Sequence, residues 1–156
     1  MTIRRAIPDE AQALWVIRNE AIRFGCRDVY PEDVLQAWTP ELMPAGYLHE
    51  IINNPFFVAE NENGEPVATG YLDLENCAVE AVFTLPAYTG KGLAKQIMGA
   101  IKQEAKTRGM TTLTLSATPN ARDFYLTQGF SIVKESLYPS ALAGASLRCF
   151  EMSCDI

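Results

Sequence analysis

The residues best equipped for chemistry gather around one glycine-rich turn. Thr84-Leu85-Pro86 closes a stretch that reads as a strand, Thr89-Gly90-Lys91-Gly92 follows, and Leu93-Ala94 opens a helical pattern. A strand that feeds a glycine turn and then a helix is an anion cradle. The first N–H groups of the helix lack partners, and the macrodipole adds roughly half a positive charge there. Glycine also lets a ligand approach the backbone closely. Spacing separates the users of this device. A P-loop needs a glycine five positions before Gly90 and a Ser or Thr after Lys91, and neither is present. A dinucleotide fingerprint needs a third glycine where Lys95 stands. The plainer reading is a turn that only joins strand to helix.

Other chemistries find little support. Cys26, Cys77, Cys149 and Cys154 form no CxxC pair and His49 is the sole histidine, so the chain lacks the close-set ligands of a zinc site and no metal is expected. The thiols are expected to be reduced, mostly buried and unreactive. With 19 acidic against 13 basic residues the net charge is −6, which speaks against a nucleic-acid or anionic-membrane partner. No apolar run approaches the ~20 residues of a membrane span, and Met1 to Ala6 has no secretory apolar stretch. A cytoplasmic location is the expectation, and disulfides are not.

The elements that must position the turn follow from periodicity. The 156 residues suit a single domain over residues 1–156, without repeats or linkers. Thr2 to Arg5 fits a strand. Pro8-Asp9-Glu10 opens a helix whose apolar stripe is Ala11, Leu14, Ile17, Ala21 and Phe24, ended by Gly25. Shorter helices are predicted from Pro31 to Trp38 and from Ala45 to Ile52. Phe56 to Ala59 and Val67 to Leu74 read as strands around the hairpin signal Asn61-Glu62-Asn63-Gly64. Ala78 to Leu85 reads as a third strand, with Glu80, Val82 and Thr84 on one face and Ala81, Phe83 and Leu85 on the other. Leu93, Ile97, Ile101 and Ala105 stripe a long helix that stops at Gly109. A strand over Leu113 to Ala117, a short helix over Asn120 to Gln128, and strands over Ser131 to Leu137 and Leu147 to Ser153 complete a mixed α/β pattern.

Two segments then carry a resemblance. Thr84-Leu85-Pro86-Ala87-Tyr88-Thr89-Gly90-Lys91-Gly92-Leu93-Ala94 resembles the acetyl-CoA signature of the GNAT superfamily, a strand ending in V-x-P followed by [QR]-x-x-G-x-[GA]. Asn120-Ala121-Arg122-Asp123-Phe124-Tyr125-Leu126-Thr127-Gln128-Gly129-Phe130 is similar to the family's N-A-x-x-FY-x-x-x-GF segment. Their order and separation agree with the family, as does the order of elements along the chain. The sequence departs where Thr89 replaces the usual Gln or Arg and Thr84 the usual Val, which removes one side-chain contact to a pyrophosphate and leaves the backbone donors.

The resemblance implies a GNAT-like α/β (α+β) fold with a mostly antiparallel sheet of about six to seven strands flanked by helices. It implies an N-acetyltransferase that uses acetyl-CoA as co-substrate and a small-molecule or peptide amine as acceptor, with direct attack in a ternary complex. By the same resemblance the backbone of Thr89, Gly90, Lys91, Gly92, Leu93 and Ala94 holds the pyrophosphate. The strand edge at Val82, Phe83 and Thr84 pairs with the pantetheine arm and offers an N–H to the oxyanion, a donor worth about 3–4 kcal/mol. Tyr125 matches the general acid, with core packing as its alternative. Glu80, on that strand, is a candidate base working through water, or else a solvated carboxylate. Asp73 is a weaker second candidate. Asn120 either contacts CoA or caps its helix. Trp15, Trp38, Tyr30 and Tyr47 fall in the part of the chain that walls the acceptor in the family, and a homodimer is a further expectation. The competing readings are a non-catalytic CoA-binding or sensor module on the same fold and a pure interaction domain.

Overall fold

Short alternating runs in the middle of the chain and three-to-four-residue periods around them produce a sheet clasped by helices in the computed structural model, which describes residues Thr2–Ile156. In chain order the elements are β1 (Thr2–Arg5), α1 (Ala11–Gly25), α2 (Glu32–Trp38), α3 (Ala45–Asn53), β2 (Phe56–Glu60), β3 (Pro66–Asp73) and β4 (Ala78–Thr84). There follow α4 (Leu93–Thr107), β5 (Thr112–Ala117), α5 (Arg122–Thr127), β6 (Ser131–Ser140) and β7 (Ala145–Asp155). The seven strands form one sheet in the order β1-β2-β3-β4-β5-β7-β6. Neighbours are antiparallel except β4 and β5, which are parallel and joined through α4. Among the described residues no helix is long and apolar enough to cross a membrane.

The sheet buries both faces. On one, Leu93, Ile97 and Ile101 of α4 pack with Phe57, Leu113 and Met152, each such side chain contributing roughly 1.5–3 kcal/mol on burial. Gly70 lets α4 lie this close: a Cβ there would sit 2.7 Å from Ile97 Cγ2. On the other face, Leu14 and Ile17 of α1 pack against Phe56 and Val58. The predicted stripe of α1 needs correction beyond Ile17. Ile22 is buried and Phe24 is 48% exposed, its ring covered by Arg27 instead of the core. A small third cluster of Ile22, Cys26, Tyr30, Leu35 and Leu147 ties α1 and α2 to β7.

The joint between β4 and β5 matters most. Their pairing consists of Ala78 with Thr114, reinforced by the Thr114 N–H donating to Cys77 O at 3.1 Å. Beyond that point the strands part, and the edge of β4 from Glu80 to Thr84 faces a gap in the sheet.

Candidate active site

The gap between β4 and β5 is a cavity of about 200 Å³. Val82, Phe83 and Thr84 wall it on one side, Ser116, Ala117 and Thr118 on the other, and Thr89, Asn120 and Tyr125 complete it. Six residues singled out from the sequence therefore meet in one place. The Leu85 N–H donates back to Val67 O on β3 at 2.9 Å, so strand alternation turns the amides of Thr84 and Val82 toward the gap.

The glycine turn sits at the mouth of this gap. Gly90 and Gly92 both adopt φ of 77°, a left-handed conformation that side chains resist, whereas a Cβ at either would meet no atom. Backbone conformation, not space, is what these glycines supply. Thr89 to Gly92 are exposed, and among the described residues no backbone carbonyl accepts from the amides of Gly90, Lys91 or Gly92. No side chain caps α4, so its first amides are open too. The Thr89 hydroxyl donates to Pro86 O at 2.9 Å, spending itself on the turn. The Leu93 side chain lies in the core, leaving its backbone as the part available to a ligand. Lys102 of α4 is half-buried and committed within the protein: its Nζ donates to Gln128 O and stands over the Phe130 ring.

Tyr125 is buried between Phe124 and Phe130, with edge-to-face ring contacts to both, and still lines the cavity. Burial, and then the charge of Glu80, raise its hydroxyl well above the ordinary tyrosine value, so it is a proton donor at neutral pH. Asn120 does not cap α5, whose cap position is Ala121 and carries no side-chain bond. Its Oδ1 accepts instead from the Cys26 thiol at 3.3 Å. Burial pushes that thiol up to about 11, making Cys26 a support for the wall and a poor nucleophile.

Strand alternation placed Glu80 with Val82 and Thr84, and the structure corrects this. Thr69 pairs with Phe83 but Tyr71 pairs with Glu80, so β4 carries one extra residue opposite Gly70. The extra residue is Ala81, at φ of 52°. Such a bulge resets which side chains share a face. Val82 now packs toward α4, and Glu80 shares with Phe83 the face toward α1. Ala81 has no glycine signature, and the cue would have been Gly70 across the ladder.

On that face lies a second cavity of about 220 Å³, contiguous with the first through Ile22, Ala81, Phe83, Ser116 and Thr118. Tyr30 and Trp38 line it, together with Tyr138 and Cys149 of the β6–β7 hairpin. Trp15 and Tyr47 do not. They pack edge-to-face at 5.1 Å, and the Trp15 Nε1 donates to Pro40 O. Arg18 also lines this cavity, and the sequence reading missed it because it sits inside an ordinary amphipathic helix. Glu80 keeps solvent contact, yet protein crowds it in the concave wall. Lost hydration, followed by the charges of Asp73, Glu50 and Glu151, pushes its carboxyl up to about 7. Asp73 lines neither cavity, and its carboxylate accepts from the amides of Glu75 and Asn76 and from the Asn76 side chain. His49 is exposed on α3, away from both cavities.

Comparison with known proteins comes to the same place. The family model described as "Acetyltransferase (GNAT) domain" matches residues 26–144. No curated protein matches the sequence. Among solved structures, a GCN5-related N-acetyltransferase from Rhodopseudomonas palustris aligns with TM-score 0.88 at 21% identity, over 99% of this chain and 95% of that one. The PaiA N-acetyltransferase from Thermoplasma acidophilum in complex with coenzyme A aligns with TM-score 0.78 at 17% identity, over 99% and 98%. The YncA protein from Salmonella typhimurium, with its cofactor acetyl-CoA, aligns with TM-score 0.72 at 20% identity, over 99% and 93%. At these identities the structural likeness establishes the fold.

Proposed function

From the premise that the chain belongs to the GNAT acetyltransferases, which makes it an acyl-CoA-dependent N-acetyltransferase, we propose that it moves the acetyl group of acetyl-CoA to a primary amine by direct attack in a ternary complex. The observation that carries this reading is the parting of β4 from β5 after one paired position, which leaves a strand edge free beside an open glycine turn. In this reading the amides from Gly90 to Ala94 bind the diphosphate and the pantetheine arm runs along β4. The relative from T. acidophilum binds coenzyme A.

The chemistry needs little more from the chain. An acceptor ammonium in the second cavity gives up a proton to Glu80, directly or through water, at a carboxyl whose pKa of about 7 suits that task. The free nitrogen attacks the thioester carbonyl, the C–N bond forms, and the oxyanion is met by a β4 amide. The C–S bond then breaks, the departing thiolate takes the Tyr125 proton, and the second proton lost from the new amide nitrogen returns to the tyrosine oxygen through water. Holding both reactants in adjoining cavities supplies the entropic part of the acceleration.

Thiol release from acetyl-CoA over a panel of amines tests the reading, with acetyl-CoA binding followed by thermal denaturation. A ligand at 100 times its Kd stabilises by about 2.7 kcal/mol. Stabilisation and amine-dependent thiol release are expected together. Stabilisation without turnover of any amine, peptide or antibiotic overturns the transferase reading in favour of a sensor, and no stabilisation overturns both.

A further inference from the structure

The walls of the second cavity hold one cation and one anion that do not answer each other. Arg18 is half-buried there. Its Nη1 donates to Asn19 Oδ1 at 2.8 Å and to Trp38 O at 2.9 Å, and the Trp15 ring lies 4.3 Å from the guanidinium carbon. These contacts fix the plane of the group and use one end of it. Among the described residues nothing accepts from Nε or Nη2, the edge that matches a carboxylate with two parallel hydrogen bonds. Every other arginine is ion-paired or, for Arg23, bonded to Thr39. The side chains whose charge acts on Arg18 are Tyr47 and Tyr138, with no carboxylate among them.

Glu80, on the same cavity, has no ion-pair partner either, and the charges acting on it are other carboxylates. A half-buried guanidinium without a counter-charge is costly to keep, and a ligand anion removes that cost. A lone amine would leave Arg18 unanswered, and a polyamine would be repelled by it. The space of about 220 Å³ can house a small molecule between Arg18 and Glu80. We propose that the acceptor is a small zwitterion, an amino acid, whose carboxylate is gripped by the free edge of Arg18 while its amine faces Glu80. This names the acceptor class for the acetyl-transfer reading above and rests on it.

Calorimetric titration of the CoA-loaded protein tests it without requiring turnover. The probes are matched triplets of an L-amino acid, its carboxamide and its decarboxylated amine, covering acidic, basic, small, aliphatic and aromatic side chains, with spermidine alongside. At least one amino acid should bind, about 10-fold or more tighter than its amide and its amine, the margin of a charge-assisted bidentate contact. Arg18→Gln should erase that margin with CoA affinity unchanged, and Arg18→Lys should restore part of it. The inference is overturned if no amino acid binds, if amides or spermidine bind as well, or if a folded Arg18→Gln keeps the margin. Turnover of a polyamine or peptide amine without amino-acid binding sinks this inference and leaves acetyl transfer standing. Amino-acid binding without any acetylation sinks acetyl transfer, and with it the acceptor role, while the carboxylate grip of Arg18 stands as a binding site alone.

Discussion

On one side of Phe83 the cleft is walled by backbone: the parted edge of β4, the left-handed glycine turn and the open first amides of α4. On the other side it is walled by side chains drawn from α1, α2 and the β6–β7 hairpin, with Glu80 from β4. Backbone donors are common to every residue type but proline, so in the proposed reading the first half would recognise a ligand through conformation and tolerate exchange of side chains. The second half has no such freedom, because each charge or ring on its wall is one residue's contribution. One half can therefore stay constant while the other changes what is accepted.

Tyr125 is the point where this division should break most visibly, being a single side chain in the backbone-built half. Tyr125→Phe keeps the ring contacts with Phe124 and Phe130 and removes only the proton. Turnover should fall about 10²–10⁴-fold, with acetyl-CoA affinity by calorimetry little changed. Retained turnover would reduce Tyr125 to a packing residue.

Glu80 should show the next largest effect. Glu80→Gln is expected to lower kcat/KM at neutral pH by about 10–10²-fold, less than the loss at Tyr125 because water can take part of a base's work. In the parent protein kcat/KM should rise with pH through about 7 and then level, since only the ionised carboxylate accepts a proton. Persistence of that limb in Glu80→Gln would assign it elsewhere. Stability supplies a second reading with a definite sign. The folded state raises this pKa from 4.5 to about 7, so the group's favourable contribution is full below 4.5 and is lost as pH rises through about 7. Glu80→Gln should therefore raise Tm relative to the parent above pH 7, and the gain should vanish in acid.

The same division explains what could be read from the sequence. Glycines at Gly90 and Gly92, the strand before them and the stripe of Leu93, Ile97 and Ile101 are local patterns, and local patterns survive in one dimension. The bounds of α4 and the succession of elements along the chain followed from such patterns. Arg18, Tyr138 and Cys149 converge from distant parts of the chain, and nothing in their own neighbourhoods marks them. The bulge at Ala81 was hidden for a related reason. Alternation along β4 looks unbroken, and only the ladder to β3 shows that one residue has no partner. Phe24, counted into a helical stripe by spacing, ended outside because α1 turns its later residues toward Tyr30 and Leu147.

Two changes in the glycine turn sharpen the contrast from the backbone side. Gly92→Ala places a Cβ at φ of 77°, a conformation costing a non-glycine residue roughly 1–2 kcal/mol, although no atom would clash with it. If conformation is what holds the diphosphate, acetyl-CoA affinity should fall about 10-fold while the pH limb assigned to Glu80 stays in place. A change in acceptor preference without loss of acetyl-CoA affinity would contradict the division.

Thr89→Arg should do least, and in the opposite direction. Thr89 is exposed, lines the mouth of the gap, and spends its hydroxyl on Pro86 O, a bond that closes a turn already closed by the Thr89 N–H. Its replacement therefore removes little and adds a guanidinium beside the open amides. A new charge contact at an exposed site is worth at most about 1 kcal/mol, so acetyl-CoA should bind no more than about 5-fold tighter, and less so as salt is added. Calorimetry at two ionic strengths measures both parts. A gain of several orders of magnitude, or a loss, would mean that side chains and not backbone dominate this half of the cleft after all.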